Sequence, residues 1–147
     1  MLPINIWAVL GAAIIANVIG FLWYGPVFGK YWIGLLGLDN SREGMATLKA
    51  KAKAEGGMAK SYALMFVGSL VMSYVLSAVV FFTYLFFLGW GVLAGPAVGF
   101  LAWLGFVAPV TLSSVLWEGK SWRLWVLNNG YYLVTFMVMG LTFMVWA

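Results

Sequence analysis

Eight basic and four acidic side chains carry all the formal charge of this 147-residue sequence, which contains neither His nor Cys. The acids are Asp39, Glu43, Glu55 and Glu118. Without His or Cys there is no disulfide, no thiolate, no His- or Cys-ligated metal and no Ser-His or Cys-His nucleophile pair. Four scattered carboxylates supply neither a metal-ligand set nor a paired-acid hydrolytic site. The Gly-x-x-x-x-Gly-Lys-Ser/Thr order of a phosphate loop is absent. The alternating Lys-Ala run at 49–54 lacks the interleaved aromatics of a nucleic-acid groove. The expectation is a protein that is not an enzyme, with no cofactor, no metal and no nucleic-acid partner. The polar residues left to consider are Asn17, Tyr24, Ser69, Ser73, Thr111, Ser114, Glu118, Asn128 and Asn129. They can donate and accept hydrogen bonds, which suits a binding pocket or an internal network.

The elements that hold these residues follow from composition. Hydrophobic residues make up 65% and charged residues 8%, against about a quarter charged in a soluble domain, so the solvent is a bilayer. A hydrocarbon core about 30 Å thick needs about 20 helical residues. Four stretches supply them, at about residues 4–23, 62–88, 92–117 and 124–146. The first has no basic n-region before it and is longer than a signal-peptide core, so it reads as a retained span. The fold expected is all-α: one polytopic domain of four transmembrane helices, residues 1–147.

Direction follows from the basic residues. Lys30, Arg42, Lys49, Lys51, Lys53 and Lys60 lie between spans one and two, and Lys120 and Arg123 between spans three and four. Both links fall on one side, which the positive-inside rule makes cytoplasmic. The N-terminus and C-terminus are then outside, in the periplasm of a bacterial inner membrane. Trp23, Trp32, Trp117 and Trp125 suit the inner interface, and Trp7, Trp90 and Trp146 the outer one.

The cytoplasmic link, about residues 25–61, carries further structure. Gly25-Pro26 ends the first span, since Pro cannot continue a helix without losing a backbone bond. Phe28, Tyr31, Trp32, Leu35 and Leu36 then recur at helical spacing, the pattern of an interfacial helix. Asp39-Asn-Ser41 caps a second, polar helix running to about Glu55 and stopped by Gly56-Gly57. Its lysines could meet anionic lipid headgroups. A solvated loop whose charge only sets topology is the blander reading and the better supported.

Small and polar residues form stripes on the spans at about 100° per residue. Ala12, Ala16 and Gly20 share a face of span one, and Ser69, Ser73 and Ser77 one of span two. Gly91, Gly95 and Gly99 line span three and are expected to be a helix-packing interface, where small residues let another helix approach closely; in an oligomeric or accessory component that helix would belong to a copy or partner. Asn128, Tyr132, Thr135, Met139 and Thr142 line span four. Pro109 predicts a kink that frees the carbonyl of Gly105. Most of the polar candidates fall in the cytoplasmic half, as a cytoplasm-facing pocket or a hydrogen-bond network would. Glu118, beside Lys120 and Arg123, is either a surface ion pair or a coupling carboxylate facing the cluster. Gly20-Phe-Leu-Trp23 before Pro26 also echoes Gly99-Phe-Leu-Ala-Trp103 before Pro109, a faint sign of a duplicated hairpin.

The run Gly20-Phe-Leu-Trp-Tyr-Gly-Pro-Val-Phe-Gly-Lys-Tyr-Trp32 resembles the opening signature of DUF1761, a family of small bacterial membrane proteins. Met58-Ala-Lys-Ser-Tyr-Ala63, Gly99 to Pro109, Trp117-Glu-Gly-Lys120 and Asn129-Gly-Tyr131 are similar to its later segments. The resemblance implies four helices and no assigned activity. It marks Trp23, Gly25, Pro26, Lys30, Trp32, Glu118, Asn129, Gly130 and Tyr131 as motif positions. Where relatives often carry His, this chain has Tyr132. Two functions are expected of such a chain: a non-catalytic oligomeric or accessory component of a membrane complex, or a small-solute or ion channel or transporter using the polar pocket.

Overall fold

A computed structural model describes residues 4–86 and 88–146. Among them are six helices and no strand: α1 (Ile6–Val27), α2 (Gly29–Leu35), α3 (Arg42–Ala54), α4 (Ala59–Phe86), α5 (Trp90–Leu116) and α6 (Trp122–Trp146). Four of them, α1, α4, α5 and α6, are long and apolar enough to cross a membrane. The architecture is that of a multi-pass membrane protein. Large apolar side chains such as Phe106, Val110 and Trp117 stand exposed on its outside, as a bundle dissolved in hydrocarbon requires.

The long helices alternate in direction. Asn5 reaches the Trp146 carbonyl at one end, and Trp23 reaches the Leu127 carbonyl at the other. The α1–α4 and α5–α6 links, with all eight basic side chains, therefore share an end, called the charged end below. α4 begins at Ala59, three residues before its apolar run, so Lys60 falls in its first turn. A lysine there can lay its stem along the helix and keep its ammonium in water.

The first span does not stop at Pro26 but passes it in a π-helical turn, Trp23–Val27. Phe28 donates to the Trp23 carbonyl at 2.9 Å, five residues back. The wider turn makes room for a ring that would strike the carbonyl four residues earlier in an α-helix. Phe28 itself, at φ −119° and ψ 7°, ends the span. α5 repeats the device: Trp103–Val107 is a π turn, and Ala108 donates to Trp103 just ahead of Pro109. The kink expected at Pro109 is thus a change of register that begins at Trp103. Each half of the sequence echo opens a π turn at its tryptophan.

Close packing sets the bundle. Ala8, Ala12, Ala16 and Gly20 lie buried along one face of α1. Ser73 of α4, wholly buried, donates to the Val9 carbonyl across that face at 2.7 Å. Met139 of α6, also wholly buried, meets Leu76, Val80, Val98 and Phe143 in the core. Between α5 and α6 the backbones touch. A Cβ on Gly95 would overlap the Gly140 carbonyl, and one on Gly99 the Phe136 carbonyl.

That contact involves two of the three glycines of the expected packing face, Gly95 and Gly99. Both meet the chain's own fourth span, because the short link at 117–121 folds α6 back antiparallel against α5. Gly91 is not in the contact. It sits at φ 54° in the 3₁₀ segment Leu88–Leu93, with nothing within 4 Å of a built Cβ. A left-handed residue there reverses the chain, a conformation that glycine adopts without strain.

In the charged link, Ser41 caps α3 by accepting from Gly44 N–H at 3.1 Å. The Asp39 carboxylate accepts the Ser41 N–H at 2.8 Å, and that bond holds its pKa below the usual carboxylate value. Gly44 is buried under Asp39, where a Cβ would collide with the carboxyl group. Gly56 and Gly57, both at positive φ, end the helix.

Gly95→Leu therefore has no rotamer that avoids the α6 backbone, and overpacking of this kind costs at least the usual 1–3 kcal/mol, about the upper end or beyond. The expected result is loss of the monodisperse peak in size-exclusion chromatography. Gly68→Leu, on an open exposed site, is expected to keep the peak and leave the thermal midpoint within about 2 °C.

Candidate polar site at the charged end

Polar side chains in a bilayer must find partners within the protein. At the charged end they do so in two knots, both built on the first turns of α6.

The first knot ties α6 to the π turn of α1. The Trp23 indole donates to the Leu127 carbonyl at 3.1 Å, and the Tyr24 hydroxyl donates to Asn128 Oδ1 at 2.8 Å. The π turn presents these two consecutive aromatics to one partner helix. Gly130 leaves room for the indole: a Cβ there would stand 3.1 Å from Trp23 Cζ2. The Tyr24 ring meets Trp32 and Tyr131 edge-on, with centroids 5.1 and 5.3 Å away. Gly20 in turn faces the Tyr131 hydroxyl, which donates a long bond of 3.4 Å to the Ala16 carbonyl.

The second knot ties α6 to α5 through Thr111. Its hydroxyl accepts from Asn129 Nδ2 at 3.0 Å and from Trp125 Nε1 at 3.1 Å, and donates to the Val107 carbonyl at 2.8 Å. One donor and two acceptor sites are all a hydroxyl has, so Thr111 is saturated. Asn129 is buried and spends its second amide hydrogen on the Trp125 carbonyl at 3.2 Å. The carbonyl that receives Thr111 lies in the π turn before Pro109, where regular helix bonding is interrupted.

The remaining candidates do not join these knots. Asn17, Ser69 and Ser114 each donate within their own helix, to Ala13, Met65 and Thr111 carbonyls at 2.8, 3.0 and 2.8 Å. Ser73 bonds α1 at mid-bundle. Glu118 lies outside, half exposed, paired with Lys120 at 2.8 Å. Of the nine residues, the structure brings together Tyr24 with Asn128 and Thr111 with Asn129.

Trp23, Trp125, Gly130 and Tyr131 complete the site but were not among the nine. The sequence marks Trp23 as an interfacial aromatic and a motif position, Gly130 and Tyr131 as motif positions, and Trp125 as an interfacial aromatic. A cavity of about 280 Å³ lies at the opposite end, between α1, α4 and α6, lined by Asn5, Ser77, Val80, Tyr84 and Phe143 among others. No group of three His, Cys, Asp or Glu side chains converges among the described residues.

Chemically, such knots can hold helices in register; they present no activated nucleophile and no free acid. Hydrogen bonds between membrane helices contribute about 0.6 kcal/mol each. Tyr24→Phe and Asn128→Ala are therefore expected to show a coupling of about 0.6 kcal/mol in a double-mutant cycle of detergent unfolding. Additive effects would mean that the 2.8 Å bond contributes nothing.

Nothing matches this chain among curated proteins or among solved structures. A family description, "Protein of unknown function (DUF1761)", matches residues 7–144. The motifs that interlock here, from the π turn of α1 to the first turns of α6, all lie inside that match, and the chain belongs to the DUF1761 family.

Proposed function

We propose that this protein is a non-catalytic component of the bacterial inner membrane, acting as a homo-oligomer or as an accessory subunit of a larger membrane complex. Its N- and C-termini face the outside and its charged end the cytoplasm, as the basic residues of the two links favour. One observation carries the functional reading. The polar side chains best placed for chemistry at the charged end are consumed in bonds between α6 and its neighbours. Thr111 is saturated, and Tyr24, Asn128 and Asn129 are engaged in bonds between helices, the arrangement of groups that hold a scaffold together.

The competing reading, a channel or transporter with a pocket open at the charged end, needs Asn17, Ser69 and Asn128 around a common space. Asn17 and Ser69 instead bond their own helices, and Asn128 is held by Tyr24. The exposed pair Glu118–Lys120 gives a coupling carboxylate no enclosed position either.

Native mass spectrometry of the protein, tagged at its C-terminus and extracted gently from its own membrane, tests the proposal. A defined homo-oligomer or stoichiometric co-purification of a larger membrane protein is expected. A monomer that retains no protein partner would contradict it.

A further inference from the structure

We propose that α3 is a surface-docking helix that lies against an anionic bilayer with one apolar edge down. At about 100° per residue, Met45, Leu48 and Ala52 share an arc of about 60°. Arg42, Lys49 and Lys53 border that arc on one side and Lys51 on the other. Glu43 falls on the far side, with Ala50 and Ala54. A merely solvated helix has no reason to place its cations at both borders of one apolar strip and its acid opposite. A helix lying in a headgroup layer does, since flanking lysines reach outward to phosphates while the strip sinks toward the acyl chains. Glu55, just past the last turn, is the one acid near the strip.

Position supports the same occupant. α3 packs extensively on no other helix, and its apolar edge is half-buried rather than sealed. It is tethered on both sides, by residues 36–41 to α2 and by residues 55–58 to α4. At no more than about 3.5 Å per residue, those tethers keep it close to the ends of the spans. The first tether is folded: Asn40 donates to the Lys30 carbonyl at 3.3 Å, and Asp39 packs over Gly44. The cap thus joins the first turn of α3 to the link that leads from α2. Among the described residues the one ion pair is Lys120–Glu118, so no salt bridge neutralises these cations.

The chain has no cysteine, so a single introduced thiol reports cleanly. Met45→Cys on the edge and Ala50→Cys on the far side would each carry an NBD label, in the full chain, in nanodiscs of phosphatidylcholine alone or mixed with phosphatidylglycerol. The expected result is a stronger, blue-shifted emission from position 45 in the anionic discs, reversed by high salt, and a water-like emission from position 50 throughout. Replacing Lys49, Lys51 and Lys53 by Gln is expected to weaken docking about fivefold per lysine. Salt titration of the chain with its lysines intact gives the same readout if that variant folds poorly. Water-like emission from both positions in both discs, as a solvated loop or a site for an acidic protein would give, overturns the proposal. So does a shift that ignores lipid charge.

Discussion

Two helix backbones can touch only where no Cβ stands between them, and in a bilayer that closeness replaces the hydrophobic effect that would drive helices together in water. Gly95 against Gly140, with Gly99 against the Phe136 backbone, is the point on which this bundle depends. It brings α5 and α6 near enough for Asn129 and Trp125 to reach Thr111. The alanine face of α1 supports the other side of the bundle, where Ser73 reaches the Val9 carbonyl. Both closures rest on small residues spaced four apart.

The two π turns convert a sequence liability into positioning. Proline inside a span strands a carbonyl, which in hydrocarbon must be answered from within the protein. Here the helix widens ahead of each proline, at Trp23–Val27 and Trp103–Val107. In α1 the widened turn delivers Trp23 and Tyr24 to α6. In α5 the Val107 carbonyl receives Thr111. The correspondence stops at the tryptophans: Trp23 finds a carbonyl, whereas the buried Trp103 Nε1 has no hydrogen-bond partner. The two segments differ in the contact that matters most to the first.

The four spans could be read from the sequence because lipid solvation leaves an unbroken record in composition. The cap at Ser41 and the stop at Gly56-Gly57 were equally local, set by side chains a few residues away. Tyr24 and Asn128 were visible as polar residues at one depth, but their pairing was not, since it depends on a π turn that rotates Tyr24 toward α6. Gly95 and Gly99 showed that something must approach closely. The period of a stripe does not say whether its partner belongs to the same chain, and here it does. Depth alone groups Asn17 and Ser69 with the site. Depth says nothing about azimuth, and each side chain bonds its own helix. The saturated hydroxyl of Thr111 lay outside any sequence argument, since it needs three partners from two helices.

The polar candidates of the spans are packed against neighbouring helices or bonded within their own, and do not line a water-filled path. Thiol accessibility tests it directly. Ser69→Cys and Ser73→Cys change one atom at buried positions, while Ser121→Cys places a thiol on the exposed charged end. In membrane vesicles, a water-soluble maleimide is predicted to label position 121 readily and to leave positions 69 and 73 unreacted from either side. Labelling of 69 or 73 at a rate approaching that of 121 would contradict the account, because it would require water where the structure places helix contacts.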